Sequence, residues 1–243
     1  MSKRIPVYDF VPYKFGPFSF EMYHDLAKFK GKEYVRENNE TIHYVDGPEE
    51  QLDHVAEELV RINLSHLDDW DERRLIQEIY KAYPEYTIFS QIEKRQSYDR
   101  DETGILTIGY EGLTIDSFIN KLIQNKVEVL VDIRKNPISR RYSFSKTRLR
   151  ENLARFGIEY EHIPKLGIDS HERKGLVTLD EYQRMFARYK GRLGSKNPEL
   201  GHILDLGLNH KIALMCYEAD IRYCHRGVIS DMIRDGGIGV ANI

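Results

Sequence analysis

Both cysteines of this chain fall in one segment, IALMCYEADIRYCHRG, residues 212–227. An apolar run ends in Cys216-Tyr217-Glu218, a polar turn follows, and Cys224-His225-Arg226 opens a second apolar segment. A thiol, an imidazole, a carboxylate and a guanidinium are gathered by sequence alone, and a strand-to-helix junction would bring them closer. If a helix starts at Cys224, the positive end of its dipole favours the thiolate, and His225 and Arg226 favour it further. Cys224 is then a candidate nucleophile. The same helix start, with Arg226, would equally hold a phosphate on free backbone N–H groups without any covalent step. Against a nucleophile, only Arg226-Gly227 follows Cys224, with no phosphatase-style loop of glycines and arginine.

Cys216 ends an apolar run and reads as a small core residue at the edge of a substrate site. Glu218, two positions on, faces the expected ligand crevice, where burial would raise its pKa toward working pH; it is the leading candidate for general acid or base, with His225 beside it. Cys216 and Cys224 are eight positions apart and His225 follows directly, which is not zinc-finger spacing, so no metal site is expected. A Cys216, Cys224, His225 and Glu218 metal set is a minor alternative, and no cofactor is indicated. A thiol redox sensor would need the two cysteine Cα atoms within about 7 Å.

Residues 132–155 form a second constellation. Arg134, Lys135, Arg140, Arg141, Lys146, Arg148, Arg150 and Arg155 stand there against only Asp132 and Glu151, in a chain of formal charge -3. That local excess predicts a surface that meets an anion. Tyr142 and Phe144 lie among the cations, as stacking onto bases would require, so nucleic acid or a nucleotide is the expected partner. The alternative is a solvated face paired with acids elsewhere. Asp132 and Arg134, at i and i+2 of a strand, point to one side of the sheet. A buried carboxylate needs a partner and a guanidinium supplies one. Arg134 is expected to contact ligand, with Asp132 orienting it or acting as a base.

The elements that must position these groups are legible as patterns. The 243 residues, 41% hydrophobic and 31% charged, describe an ordinary globular protein and exclude disordered, collagenous and membrane-spanning classes. The first ten residues lack the apolar core of a signal peptide and no stretch approaches a membrane span, so a cytoplasmic location without membrane partner is expected. The polar stretch 93–103 marks a boundary between a domain over residues 1–95 and one over residues 103–243.

In the first, Ser19 is placed to cap a helix, residues 33–46 alternate as a hairpin about Asn38-Asn39, and helices are predicted over 49–61 and 71–83, closed by Pro84. The phrase FVPYKFGPFSFEMYHDLAKF resembles the start of small winged-helix-like domains, which implies a nucleic-acid contact; a helical dimerisation domain, and with it a homo-oligomer, is the alternative. In the second, strands over 105–110, 127–133, 158–163 and 212–217 alternate with helices over 115–125, 149–156, 179–189 and around 203–206. That grammar predicts an α/β domain of Rossmann-like, three-layer form with a mostly parallel sheet and a ligand crevice beyond the strand carboxyl ends.

The motifs TIGYEG (107–112), VDIRKNPISRRYSFSK (131–146), GIEYEHIPKLG (157–167) and LMCYEADIRYCHRGVI (214–229) together closely resemble the DUF488 family of uncharacterised microbial proteins. The resemblance implies a compact Rossmann-like domain with signature positions Gly109, Asp132, Arg134, Pro137, Ser139, Gly167, Cys216, Glu218, Cys224, His225 and Arg226. Tyr110-Glu111 stands where many members carry a histidine-serine pair. The combined expectation is a hydrolase or transferase acting on nucleic acid or a nucleotide. Glu218, Asp132, His225 and Cys224 would do the chemistry, and Gly109, Tyr110, Arg134, Ser139, Arg140, Cys216 and Arg226 would line the substrate. A non-catalytic nucleic-acid-binding or regulatory module is the competing expectation.

Overall fold

The computed structural model describes residues 8–38, 41–45, 47, 54–65, 67, 69–194 and 197–243. The chain divides into two compact units, Met1–Tyr98 and Asp99–Ile243.

The first unit is a mixture of short elements. Strands β1 (Val11–Tyr13) and β2 (Gly16–Phe18) pair antiparallel, and Gly16 sits at a φ of 109° against the Tyr80 ring. Helix α1 (Phe20–Gly31) starts behind Ser19, whose hydroxyl accepts the Met22 N–H at 3.3 Å. A second hairpin, β3 (Val35–Asn38) and β4 (Thr41–Tyr44), is followed by α2 (His54–Ser65) and α3 (Glu72–Ala82). Asp71 caps α3 by accepting the Arg74 N–H at 2.7 Å, and Pro84 opens a 3-10 turn that ends it. Asn39 and residues 49–53, where a turn and a helix start were expected, lie outside the described residues. The helix-then-hairpin order of a winged helix is therefore present. The buried helical core beneath a wing is not: α1 buries none of its residues and β3–β4 is almost wholly exposed. The unit's core gathers instead around Val11, Tyr80 and Ile88, with the Tyr80 hydroxyl 2.7 Å from Ser90 Oγ.

The second unit is an α/β domain whose five-stranded sheet is entirely parallel, beyond the mostly parallel arrangement expected. Its strands are β5 (Gly104–Gly109), β6 (Val129–Asp132), β7 (Glu159–His162), β8 (Lys211–Cys216) and β9 (Val240–Asn242), in spatial order β7-β6-β8-β5-β9. Helices α4 (Ile115–Gln124) and α5 (Lys146–Ala154) connect β5, β6 and β7, while α6 (Leu179–Leu193) and α7 (Pro198–Asn209) lead to β8, and α8 (His225–Asp235) to β9. Strand β9, only three residues with one buried, has too little pattern to be read from sequence.

Alternation of side chains makes this sheet two-faced. Ile105, Val129, Val131, Ile212, Leu214 and Cys216 pack in one cluster with α6, α7 and α8 residues such as Met185, Ile203 and Ile229. Leu106, Ile108, Leu130, Ala213 and Met215 are buried on the other face, with Phe118, Leu122, Leu149 and Leu153 of α4 and α5 also buried. Covering both faces is what a parallel sheet requires.

The strand order decides where a ligand can enter. The chain leaves β5 toward β6 and β7, and leaves β8 in the opposite direction toward β9, although β5 and β8 are neighbours in register from Gly104↔Lys211 to Gly109↔Cys216. Such a divergence opens a crevice beyond the carboxyl ends of the two strands. Gly109 closes β5 there, and a Cβ on it would lie 2.0 Å from the Glu218 carbonyl oxygen. Gly109→Ala is therefore expected to lower stability by about 3 kcal/mol. Equilibrium denaturation of the full chain checks this, and an unchanged midpoint would refute the close approach.

Candidate functional site

The crevice is a cleft of ≈ 590 Å³ in the second unit, lined among others by Arg134, Lys135, Arg140, Arg141 and Arg173. Cys216 and His225 form part of its wall, and no carboxylate is among its lining residues.

Asp132 ends β6 with no exposure to solvent. Its Oδ1 accepts Arg134 Nε at 2.8 Å, its Oδ2 accepts Arg134 Nη2 at 2.5 Å, and the Tyr160 hydroxyl donates to Oδ2 at 2.6 Å. Arg134 spends two further donors locally, Nη1 on the Tyr110 hydroxyl at 3.0 Å and Nη2 on the Phe144 carbonyl at 3.0 Å. Burial alone would lower the Arg134 pKa, but the Asp132 carboxylate holds it above the usual range. Burial, then Asp132, raises that of Tyr160. The pair thus builds the rim; the expectation of Asp132 as a base meets a carboxylate already fully committed.

Tyr110 is buried too. Its ring stacks on Phe144 at 4.4 Å and meets Tyr217 edge-on at 5.3 Å. Of these rings, Tyr217, 48% exposed, is the one open to a ligand.

The basic loop after β6 is folded by its serines. Ser139 Oγ accepts the Arg141 N–H at 3.2 Å, Ser145 Oγ accepts the Ser139 N–H at 3.2 Å, and Phe144 is buried beneath. Ser139 lies at the cleft as expected, in a loop-shaping role. Arg141 donates to the Leu113 carbonyl at 2.5 Å. Lys135 and Arg140 are exposed and have no ion-pair partner among the described residues. Arg148 by contrast pairs with Glu151 at 3.0 Å, so part of the basic segment is a solvated helix face.

The cysteine segment departs most from expectation. Cys216 ends β8 and Cys224 is the N-cap of α8, making no cap hydrogen bond. Both are free thiols about 1% exposed. Cys216 Sγ lies 3.2 Å from Glu218 Oε2 and 3.7 Å from His225 Nδ1. The neighbouring Cys224 thiol, then His225 and Arg173, hold the Cys216 thiol well below its ordinary range. Burial, then Cys216, pushes that of Cys224 up. Ionisation is thus favoured at Cys216, the sulfur that lines the cleft, whereas the helix start had pointed to Cys224.

Arg173 was missed by the sequence reading. It ends a 3-10 turn, Ser170–Arg173, and reaches over 45 positions to ion-pair with Glu218 and to donate from Nη2 to His225 Nδ1 at 2.7 Å. Its Nε is buried without a partner among the described residues. No spacing announces it, because a loop residue in the run SHERK looks like any exposed charge. Burial, then Cys216, raises the Glu218 pKa, against the pull of Arg173.

His225 has a defined tautomer. Its Nε2 lies 3.1 Å from the Ile133 carbonyl, which can only accept, and its Nδ1 faces a guanidinium, which can only donate. The geometry thus has Nδ1 accepting from Arg173 and leaves Nε2 to donate to the Ile133 carbonyl.

Arg226, expected to hold phosphate, is fully buried. It donates to the Glu218 carbonyl and, at 2.8 Å, to the Ala219 carbonyl, so it straps the loop between β8 and α8 and does not reach the cleft. Gly109 serves the same strap by letting that loop approach.

A family model described as Domain of unknown function DUF488 matches residues 114–233, which take in α4 through most of α8 and three of the four resembling motifs. No curated protein and no solved structure matched the chain. No described helix is long and apolar enough to cross a membrane.

Removing the Asp132 carboxylate would leave Arg134 buried and unpaired. Asp132→Ala is expected to cost about 3–5 kcal/mol of unfolding free energy. Tyr160→Phe, which removes one hydrogen bond to a charged group, should cost only about 1.5–3 kcal/mol. Denaturant titration of both variants tests the ranking, and equal losses would contradict it.

Proposed function

With residues 114–233 belonging to the DUF488 family, we propose that the α/β domain binds a phosphate-bearing ligand, a nucleotide or nucleic acid, in the cleft beyond β5 and β8, and acts on it as a hydrolase or transferase. One observation carries this reading: five cationic side chains and no carboxylate line a cleft in a chain whose net charge is -3. Phosphate oxygens are the ligand that such a lining recognises, through charge-assisted hydrogen bonds. Lys135 and Arg140 are exposed cations without an ion-pair partner among the described residues, and Arg173, which also lines the cleft, has a buried Nε without one. Tyr217 offers an exposed ring for a base or sugar.

The chemistry belongs to the deep wall, where Cys216, His225 and Glu218 converge around Arg173. Asp132 acts in this reading as a positioning residue, through Arg134. On a polymeric ligand, the N-terminal unit would add a winged-helix-like contact, in keeping with its α1, β3, β4 order. The commitment of Asp132 to Arg134 and Tyr160 favours a second reading, a non-catalytic binding module using the same cations.

Fluorescence polarisation with labelled single-stranded DNA, RNA and ATP tests the binding. Saturable binding is expected at low salt, with a log–log salt slope of about -2 for three contacts on a single strand. Lys135→Ala combined with Arg140→Ala should weaken it roughly a hundredfold. No binding at low salt, or a double variant that binds like wild type, would overturn the proposal. Turnover of a bound probe that Glu218→Gln abolishes decides for the enzyme; binding without turnover decides for the module.

A further inference from the structure

The deep wall of the cleft has the geometry of a metal site. Ligand atoms of Cys216, Cys224 and His225 all lie within 4.8 Å of one another, and all three residues are buried. Tetrahedral zinc, with Zn–S near 2.3 Å and Zn–N near 2.0–2.1 Å, sets neighbouring donor atoms roughly 3.5–3.8 Å apart. The Cys216 Sγ to His225 Nδ1 distance is 3.7 Å. Beside this set, Glu218 Oε2 stands 3.2 Å from the same sulfur and is the carboxylate placed to complete it.

Two further observations point at a cation. His225 Nδ1 lies 3.7 Å from Cys216 Sγ while Nε2 lies 3.1 Å from the Ile133 carbonyl, the backing hydrogen bond that metal-bound histidines make. A positive charge is also already drawn to this set: the Arg173 guanidinium donates to His225 Nδ1 and to Glu218 Oε1. The donors are lone pairs converging on one cation position.

We propose that Cys216, Cys224 and His225, with Glu218 as the fourth donor, bind a single thiophilic divalent ion, zinc in the first instance, at the inner wall of the cleft. Thiolate and imidazole donors select such an ion over magnesium or calcium. Two elements supply the ligands, the end of β8 and the start of α8, which explains why the Cys-to-His spacing matches no zinc-finger pattern. Cys216 and His225 border the cleft, so a bound ion would face whatever the cleft holds. The proposal rests on the phosphate reading only for what the ion would act on.

The full chain, stripped with a chelator and kept reduced, is titrated with cobalt(II) and then zinc. One equivalent is expected, with thiolate-to-cobalt charge-transfer bands and the intense visible bands of a tetrahedral site, displaced by zinc. Arg173→Ala should retain one equivalent and bind at least as tightly, because it removes the donor competing for His225 Nδ1. Cys216→Ser and Cys224→Ser should each weaken binding at least a hundredfold. X-ray absorption of zinc-loaded wild type, independent of any variant's folding, should show two sulfurs at about 2.3 Å. No stoichiometric uptake by wild type and Arg173→Ala, or a zinc shell of nitrogen and oxygen alone, would overturn the proposal. Oligonucleotide binding by the chelated protein is scored separately, so metal uptake without it refutes only the phosphate reading, and the reverse refutes only the metal.

Discussion

A carboxylate that ends a strand covered on both faces must be paired, and Asp132 is that carboxylate. Left alone it would carry a desolvation cost of several kcal/mol. Arg134 answers it from the same side of the sheet and Tyr160 from the neighbouring strand β7. Because the pair takes Nε and one edge of the guanidinium, the donors left over are fixed in direction. They reach the Tyr110 hydroxyl beyond β5 and the Phe144 carbonyl in the basic loop. One ion pair therefore ties three strands and the loop together. It also consumes the Arg134 charge, as Glu218 does that of Arg173, so the attraction of the cleft for anions comes from Lys135, Arg140 and Arg141 in the loop that the rim holds in place.

A second tie serves the opposite side. The loop from β8 to α8 is irregular, and its carbonyls at Glu218 and Ala219 would otherwise lack strand or helix partners; Arg226, wholly buried, donates to both. Buried carbonyls outside regular structure need such donors. Gly109 makes the arrangement possible by leaving no Cβ in the way. The result is that Cys216, Glu218, Cys224 and His225, spread over ten residues of chain, are brought onto one wall with fixed orientations. Signature residues that looked like ligand contacts are in two cases, Gly109 and Arg226, the scaffold of those contacts.

Sequence patterns carried the second unit well because its strands are continuous apolar runs and its helices amphipathic, so periodicity alone separates them. The three strand ends were likewise legible, since a carboxyl-end position follows from the end of an apolar run. What could not be read was contact between segments far apart in the chain. Arg173 and Glu218 meet across 45 positions, and nothing in SHERK distinguishes a cleft arginine from a solvated one. The choice between the two sulfurs was hidden for the same reason. A helix dipole and flanking cations argued for Cys224, yet Arg173, arriving from elsewhere, joins Cys224 and His225 in favouring ionisation at Cys216. In the first unit the patterns gave helix and hairpin order without packing, because the aromatic residues that dominate it suit exposed and buried positions alike; Tyr80 is enclosed while Phe15 and Tyr44 are open to solvent.

The cationic mouth and the sulfur-rich wall solve different problems, which is why both can occupy one cleft. Guanidinium and ammonium groups recognise phosphate oxygens through charge-assisted hydrogen bonds, but as donors only they offer no lone pair to a proton or a cation. A buried thiol pair with an imidazole does the converse: its sulfur and nitrogen lone pairs gather at one point. Placing carboxylates at the mouth would weaken the first function, and none lines it. Placing an unmatched acid at the wall would oppose the second, and Glu218 is matched by Arg173. The strand order β7-β6-β8-β5-β9 is what permits the division. It sends the basic loop out from β6 and the thiol segment out from β8, adjacent strands whose carboxyl ends open on the same crevice.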